Sequence, residues 1–156
     1  MPNTTTIRKD VKITGSVYND FKDIREFYRK NEVTLIKAFD ECKKIFEIDN
    51  VTLLIRNIRK RSTVGSYSNT FKQINLDLRR FKLKDIVSTI IHEMTHAKQY
   101  KDGRLKDRTD SKVIFENVEY KISKNMSHQK YLDLPYEIEA REMQKKYIDQ
   151  VWKSIK

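Results

Sequence analysis

A chain of 156 residues holds one domain with a hydrophobic core and is too short for two of ordinary size. Hydrophobic residues make up 38% and charged residues 35%, which excludes a disordered polyelectrolyte, and three glycines with two prolines favour long regular elements over a loop-rich fold. A single cysteine, Cys42, excludes an intrachain disulfide and a Cys-type zinc site, and no run approaches the ~18 apolar residues of a membrane span.

The first dozen or so residues, rich in Thr and charge, read as a loose arm (1–15) or an edge strand. They contain no apolar stretch of signal-peptide length, so the expected location is cytoplasmic. In "SVYNDFKDIREFYRKNEVTLIKAFDECKKIFEI", Phe21, Ile24, Phe27, Tyr28, Leu35, Ile36, Phe39, Ile45 and Phe46 recur at three and four. That spacing predicts an amphipathic helix, with a break near Asn31. "VTLLIRNI" predicts a buried strand, and "STVGSYSNTFKQINLDLRR" two more, with Asn69-Thr70 near the turn and Ile74, Leu76 and Leu78 alternating.

From Leu83 to about Tyr100 the period is helical again, with Ile86, Ile90, Met94 and Ala97 on one side and Asp102-Gly103 as the stop. "KVIFENVEYKIS" alternates around Glu116-Asn117 as a small hairpin. A last helix starts after Pro135, with Ile138, Met143, Tyr147, Ile148, Val151 and Ile155 as its stripe. Helix, strands, helix, hairpin, helix is the order of one α+β domain over residues 1–156.

The helix from Leu83 contains "TIIHEMTHAKQ". Helical residues four apart lie on one face with Cβ atoms ~5–6 Å apart, so His92 and His96 can reach one ion. Zinc takes imidazole nitrogen in a tetrahedron, and these two residues supply two corners from one rigid element. Glu93 points about 100° further round the helix. It is therefore placed for a water rather than for the ion, the division of labour in a metallopeptidase. The bland alternative is two histidines at helical spacing by chance. A catalytic zinc needs a third protein ligand, and the candidates are His128, Glu137 and Glu139. Read without further knowledge, "LPYEIEARE" is equally an amphipathic helix whose Glu137 pairs with Arg141 on a charged outer face.

"VGSYSNTFKQINLDL", "IVSTIIHEMTHAKQY" and "LPYEIEARE" together resemble the minimal zincin metallopeptidases of the gluzincin kind, the related SprT-like domains, and small phage- or mobile-element-borne metallopeptidases. The resemblance covers roughly residues 50 to 145. It implies a zincin-like fold: an N-terminal helix, a small three- to four-stranded mixed sheet, the active-site helix, a short hairpin and a glutamate-bearing C-terminal helix. It also implies that Glu137, three before Ala140, completes a zinc site with His92 and His96, with Glu139 the second choice. The strand at 72 to 78 would bind extended substrate along the sheet edge. Arg141 departs from the Asp or Asn that many gluzincins use to brace a zinc histidine, so the brace must come from elsewhere. SprT-like proteases use a third histidine, and His128 alone is available for that. His128, Tyr131 and Tyr136 are candidate donors to the oxyanion of the transition state.

The expected function is thus zinc-dependent endopeptidase action on a protein or peptide, with Glu93 as general base. Two other expectations stand beside it. The formal charge of +11, with basic stretches "RNIRKR", "DLRRFKLKD" and "HAKQYKDGRLKDR" interleaved with Tyr67, Phe71, Phe81 and Tyr100, is either a lysine-rich solvated surface or suits nucleic acid, as in a SprT-like protein acting on DNA-bound proteins or a non-catalytic metal-binding module. Alternatively the enzyme is autoinhibited, its cleft covered by residues 1–15 or by "YIDQVWKSIK". Composition carries no sign of oligomeric state.

Overall fold

Elements of the protein are taken from a computed structural model, which describes residues 4–14, 22–58, 64–77, 79, 82–109, 111–123 and 125–156. Phe21, Leu78, Phe81 and the basic residues Arg59 to Arg61 and Arg80 fall outside them. The structure is α+β. Strands β1 (Thr4–Arg8) and β2 (Val11–Thr14) precede helix α1 (Lys22–Phe46); β3 (Thr52–Arg56), β4 (Gly65–Ser68) and β5 (Gln73–Asp77) lead into α2 (Leu83–Lys101). Strands β6 (Leu105–Thr109), β7 (Lys112–Phe115) and β8 (Val118–Lys121) follow, then a short α3 (His128–Leu132) and α4 (Pro135–Ser154).

The main sheet has five strands, not three to four, in the order β1-β2-β3-β5-β4. Strands β2, β3 and β5 run parallel, and the two outer strands are antiparallel to their neighbours. Two apolar residues are enough to build β2 into the core, since Val11 and Ile13 are 0% and 1% exposed. The hairpin is then tied to α1 by ions. Arg8 donates to both Asp10 and Asp40, and Lys43 reaches Asp10 at 2.9 Å. Residues 4–14 are accordingly no loose arm, and they lie at the sheet edge opposite β4. Nor is α1 broken at Asn31, whose side-chain amide donates to the Phe27 carbonyl at 2.8 Å within a continuous helix.

Strand β5 lies between β3 and β4, which corrects its assignment to a free edge; the edge is β4. With both of its sides paired, β5 has Asn75 and Asp77 buried along with Ile74 and Leu76. Asn75 is held by Gln73 and Ser66, and Asp77 by Arg79. Helix α2 packs against β4 and β5 on one side and against α1 and α4 on others. It stops as expected at Gly103, whose φ of +73° lets the Gly103 and Arg104 N–H groups return to the Tyr100 and Gln99 carbonyls.

Gly65 permits the close approach of β4 to α2. A Cβ there would lie 2.6 Å from Thr89 Cγ2 and 3.1 Å from the Asn75 carbonyl oxygen, and Thr89 is held in place by its bond to Asp85 O. Overpacking of this kind costs about 1–3 kcal/mol. Gly65→Ala is therefore expected to lower the urea midpoint, and Thr89→Ser, which removes the offending methyl, to restore most of the loss in the double variant. Additive losses in the two single variants would contradict that account.

The expected hairpin is present as β7–β8. Glu116 and Asn117 have φ of 50° and 69°, the two left-handed residues of a type I′ turn. Strand β6, polar over four of its five residues, joins them to form a second, three-stranded sheet that the sequence pattern did not announce. Its apolar face, Leu105, Val113 and Phe115, packs with Leu134 and Tyr136 as a second hydrophobic cluster. The C-terminal "YIDQVWKSIK" is no detachable cover either: Val151 and Ile155 belong to the main core. Among the described residues no helix is long and apolar enough to cross a membrane.

Candidate metal centre

Helix α2 carries His92 and His96 one turn apart, and α4 carries Glu137 in its first turn. Pro135 presets the start of α4, and Ala140, one turn after Glu137 and 0% exposed, lets the two helices approach closely. Glu137 Oε2 then lies 3.0 Å from His92 Nε2, and Oε1 lies 3.0 Å from His96 Nε2. One ligand atom from each residue falls within 4.8 Å of the others, and this is the group among the described residues that could hold a metal ion.

The other ring nitrogens show whether the group suits a cation. His92 Nδ1 meets Gln144 Oε1 at 2.7 Å, and His96 Nδ1 meets Gln99 Oε1 at 2.9 Å. A ring whose Nδ1–H donates to an amide oxygen presents its Nε2 lone pair on the opposite side, where a zinc ion would accept it. Two neutral imidazoles and a carboxylate are also the donor set of a catalytic zinc with one position left open. The residues fit the ion.

Each imidazole faces oxygen on both nitrogens, an environment that favours the doubly protonated ring. Burial works against the charge, but hydrogen bonding to Glu137 and the field of Glu93 outweigh it; His92 is raised, and His96 is pushed up to about 9. Burial would likewise raise Glu137, yet its bonds to the two rings hold it well below the usual carboxylate range. Glu93, 6% exposed, is raised by burial. The raised His96 stabilises the metal-free fold fully below about pH 6.5, and this is lost as pH climbs through about 9. A zinc ion on the same nitrogens would compete with those protons, so its binding would strengthen over that interval. Melting curves between pH 6.5 and 9.5 should therefore fall with chelator and show a growing zinc-induced rise; parallel curves would contradict the linkage.

Glu93 Oε1 sits 4.0 Å from His92 Nε2, at the floor of a cleft of about 650 Å³. Gly65, Ser66 and Tyr67 line one wall in unbroken succession, and because alternate side chains of a strand point oppositely, what they share is the backbone edge of β4. Leu105, Asp107 and Val113 of the small sheet line another wall. Tyr131 donates its hydroxyl to Glu137 Oε1 at 2.9 Å, and burial with the Glu137 charge keeps that phenol protonated. Tyr136 packs edge-on against His96, ring centroids 6.1 Å apart.

The structure thus gathers His92, Glu93, His96, Tyr131, Tyr136 and Glu137. It does not bring in His128, which is exposed at the start of α3 and is not among the residues lining the cleft. Glu139 is not in the group that could share an ion and is engaged by Arg104 and Gln99. The surface pair of Glu137 with Arg141 does not form: Glu137 is 3% exposed, and Arg141 donates to the Leu132 carbonyl instead. Two of the aromatics interleaved with the basic stretches, Tyr67 and Tyr100, line the cleft with their rings tilted against each other, and Arg104 is spent on two carboxylates.

Gln99 and Gln144 escaped sequence reasoning. Their spacing was a usable signal: Gln99 is three past His96, and Gln144 is seven past Glu137, hence on the same helical faces as the ligands. No protein-family model matches the chain, and neither a curated protein nor a solved structure matches it.

Proposed function

We propose that the protein is a zinc-dependent endopeptidase with a zincin-like arrangement. The observation that carries this is the convergence of His92, His96 and Glu137 beside a buried Glu93 at the floor of an open cleft. His92, His96 and Glu137 would hold the ion, which when bound supplies a Lewis acid that polarises the scissile carbonyl and acidifies water. Glu93, its proton affinity raised by burial, takes the proton of the attacking water and passes it to the leaving amine nitrogen as the C–N bond breaks. Tyr131 is placed to donate to the oxyanion once its hydroxyl leaves Glu137, a role that falls to it over His128 on position. The exposed edge of β4 offers an extended substrate backbone its unpaired groups, and the fixed direction of the strand would set the direction of the chain.

The test is twofold: zinc content of the purified chain, and cleavage of an unfolded protein substrate with and without chelator. Zinc at one per chain with chelator-sensitive cleavage is expected. A zinc-loaded chain that cuts nothing in a broad panel of unfolded substrates would reduce the site to a non-catalytic metal module.

A further inference from the structure

We propose that Glu139 is a positioning residue for the metal site, fixing through the Gln99 amide which nitrogen of His96 faces the ion. The inference rests on the zinc reading of His92, His96 and Glu137. A glutamine amide is nearly symmetric in shape, so hydrogen bonds alone decide whether its oxygen or its NH2 meets a neighbour. Gln99 is 0% exposed, and no solvent competes for that choice. Its Nε2 donates to the Tyr136 carbonyl and to Glu139 Oε1, both at 3.1 Å. Turning the amide over would set its oxygen against a carbonyl and a carboxylate, a repulsive contact at both. Gln99 Oε1 is therefore obliged to face His96 Nδ1, that nitrogen must carry the proton, and the Nε2 lone pair is left for the ion.

Glu139 is in turn held by a guanidinium fork, with Arg104 donating at 2.8 and 2.6 Å. The same arginine binds Glu116 in the β7–β8 turn and lies 5.1 Å over the Phe115 ring, so the small sheet braces the relay. His92 has no equivalent. Its partner Gln144 is anchored by Ser88 Oγ at 2.8 Å, a hydroxyl that can donate or accept and so imposes no orientation. Among the described residues, a carboxylate fixes the amide that faces His96 and none fixes the amide that faces His92. Glu139, the second choice for a ligand by sequence, thus acts through Gln99 and His96 rather than on the ion itself.

The experiment compares zinc affinity, by competition with a chromophoric chelator, in wild type, Glu139→Leu and Glu139→Gln, and records the ring N–H protons of zinc-loaded protein in nitrogen-15 spectra. Loss of the direct partner of a metal histidine typically weakens binding about 10- to 100-fold, and Glu139→Leu, acting one bond further out, is expected at the lower end, about 10-fold. Glu139→Gln keeps an acceptor for Gln99 and should recover much of the affinity. The Nδ1 proton of His96 should exchange faster in Glu139→Leu while that of His92 is unchanged, a selectivity that general loosening of the fold would not produce. Wild-type affinity with an unaltered His96 proton in Glu139→Leu would overturn the inference. Failure of the wild-type chain to take up zinc would overturn the metal reading, and this inference with it.

Discussion

Glu93→Gln is expected to bind one zinc per chain as wild type does and to lose peptidase activity by roughly 10²- to 10⁴-fold, the usual worth of a positioned general base. The substitution exchanges one oxygen for NH2 in a side chain that is 6% exposed, so shape is conserved and the metal ligands stay in place. What disappears is the group able to accept a proton. Glu93 suits that role because burial raises its proton affinity toward that of a useful base, while the neighbouring rings oppose the shift and keep it ionisable. Activity within tenfold of wild type, at equal zinc content, would remove Glu93 from the chemistry. Equal loss of zinc and activity would instead make it part of the metal site.

The second large effect concerns the ligands. His96→Ala and Glu137→Ala should each abolish stoichiometric zinc binding, and with it the stabilisation that zinc confers on the wild-type chain. A ligand present at a thousand times its dissociation constant stabilises a fold by about 4 kcal/mol. For a chain of this size that raises the melting temperature by about 10 °C. The two variants should show no zinc-dependent shift at the same free concentration, whereas His128→Ala should shift like wild type. The design separates the candidates directly: retention of the zinc shift in Glu137→Ala would exclude it as a ligand, and loss in His128→Ala would place that residue in the site after all. Without metal, Glu137→Ala has a further cost, since two buried imidazoles lose the carboxylate that faces them.

Much of this was legible in the residues. The 3.6-residue period located α1, α2 and α4, and the His-Glu-x-x-His spacing put both rings on one helical face because helix geometry is local and repeats. Pro135 marked the start of α4 and Gly103 the end of α2 for equally local reasons: one fixes φ and the other alone accepts a positive one at no steric cost. The turn at Glu116-Asn117 marked its hairpin, although it is not glycine that occupies the left-handed positions there.

Pairings across the chain were another matter. Strand β2 has two apolar residues and β6 has one, too few to show a period, and both exist because a neighbouring strand completes their hydrogen bonds. Which of β4 and β5 is the edge depends on β3 pairing with β5, a contact between residues some twenty apart that no local pattern encodes. The same holds at the site. By itself the sequence determined that His92 and His96 form a pair and that Glu93 stands beside it, since three residues on one helix have fixed relative directions. Only the tertiary structure decided that Glu137 faces that pair, that Glu139 bonds Gln99 and Arg104 instead, and that His128 stays outside, because the approach of α4 to α2 depends on side-chain packing such as that at Ala140 and not on distance along the chain.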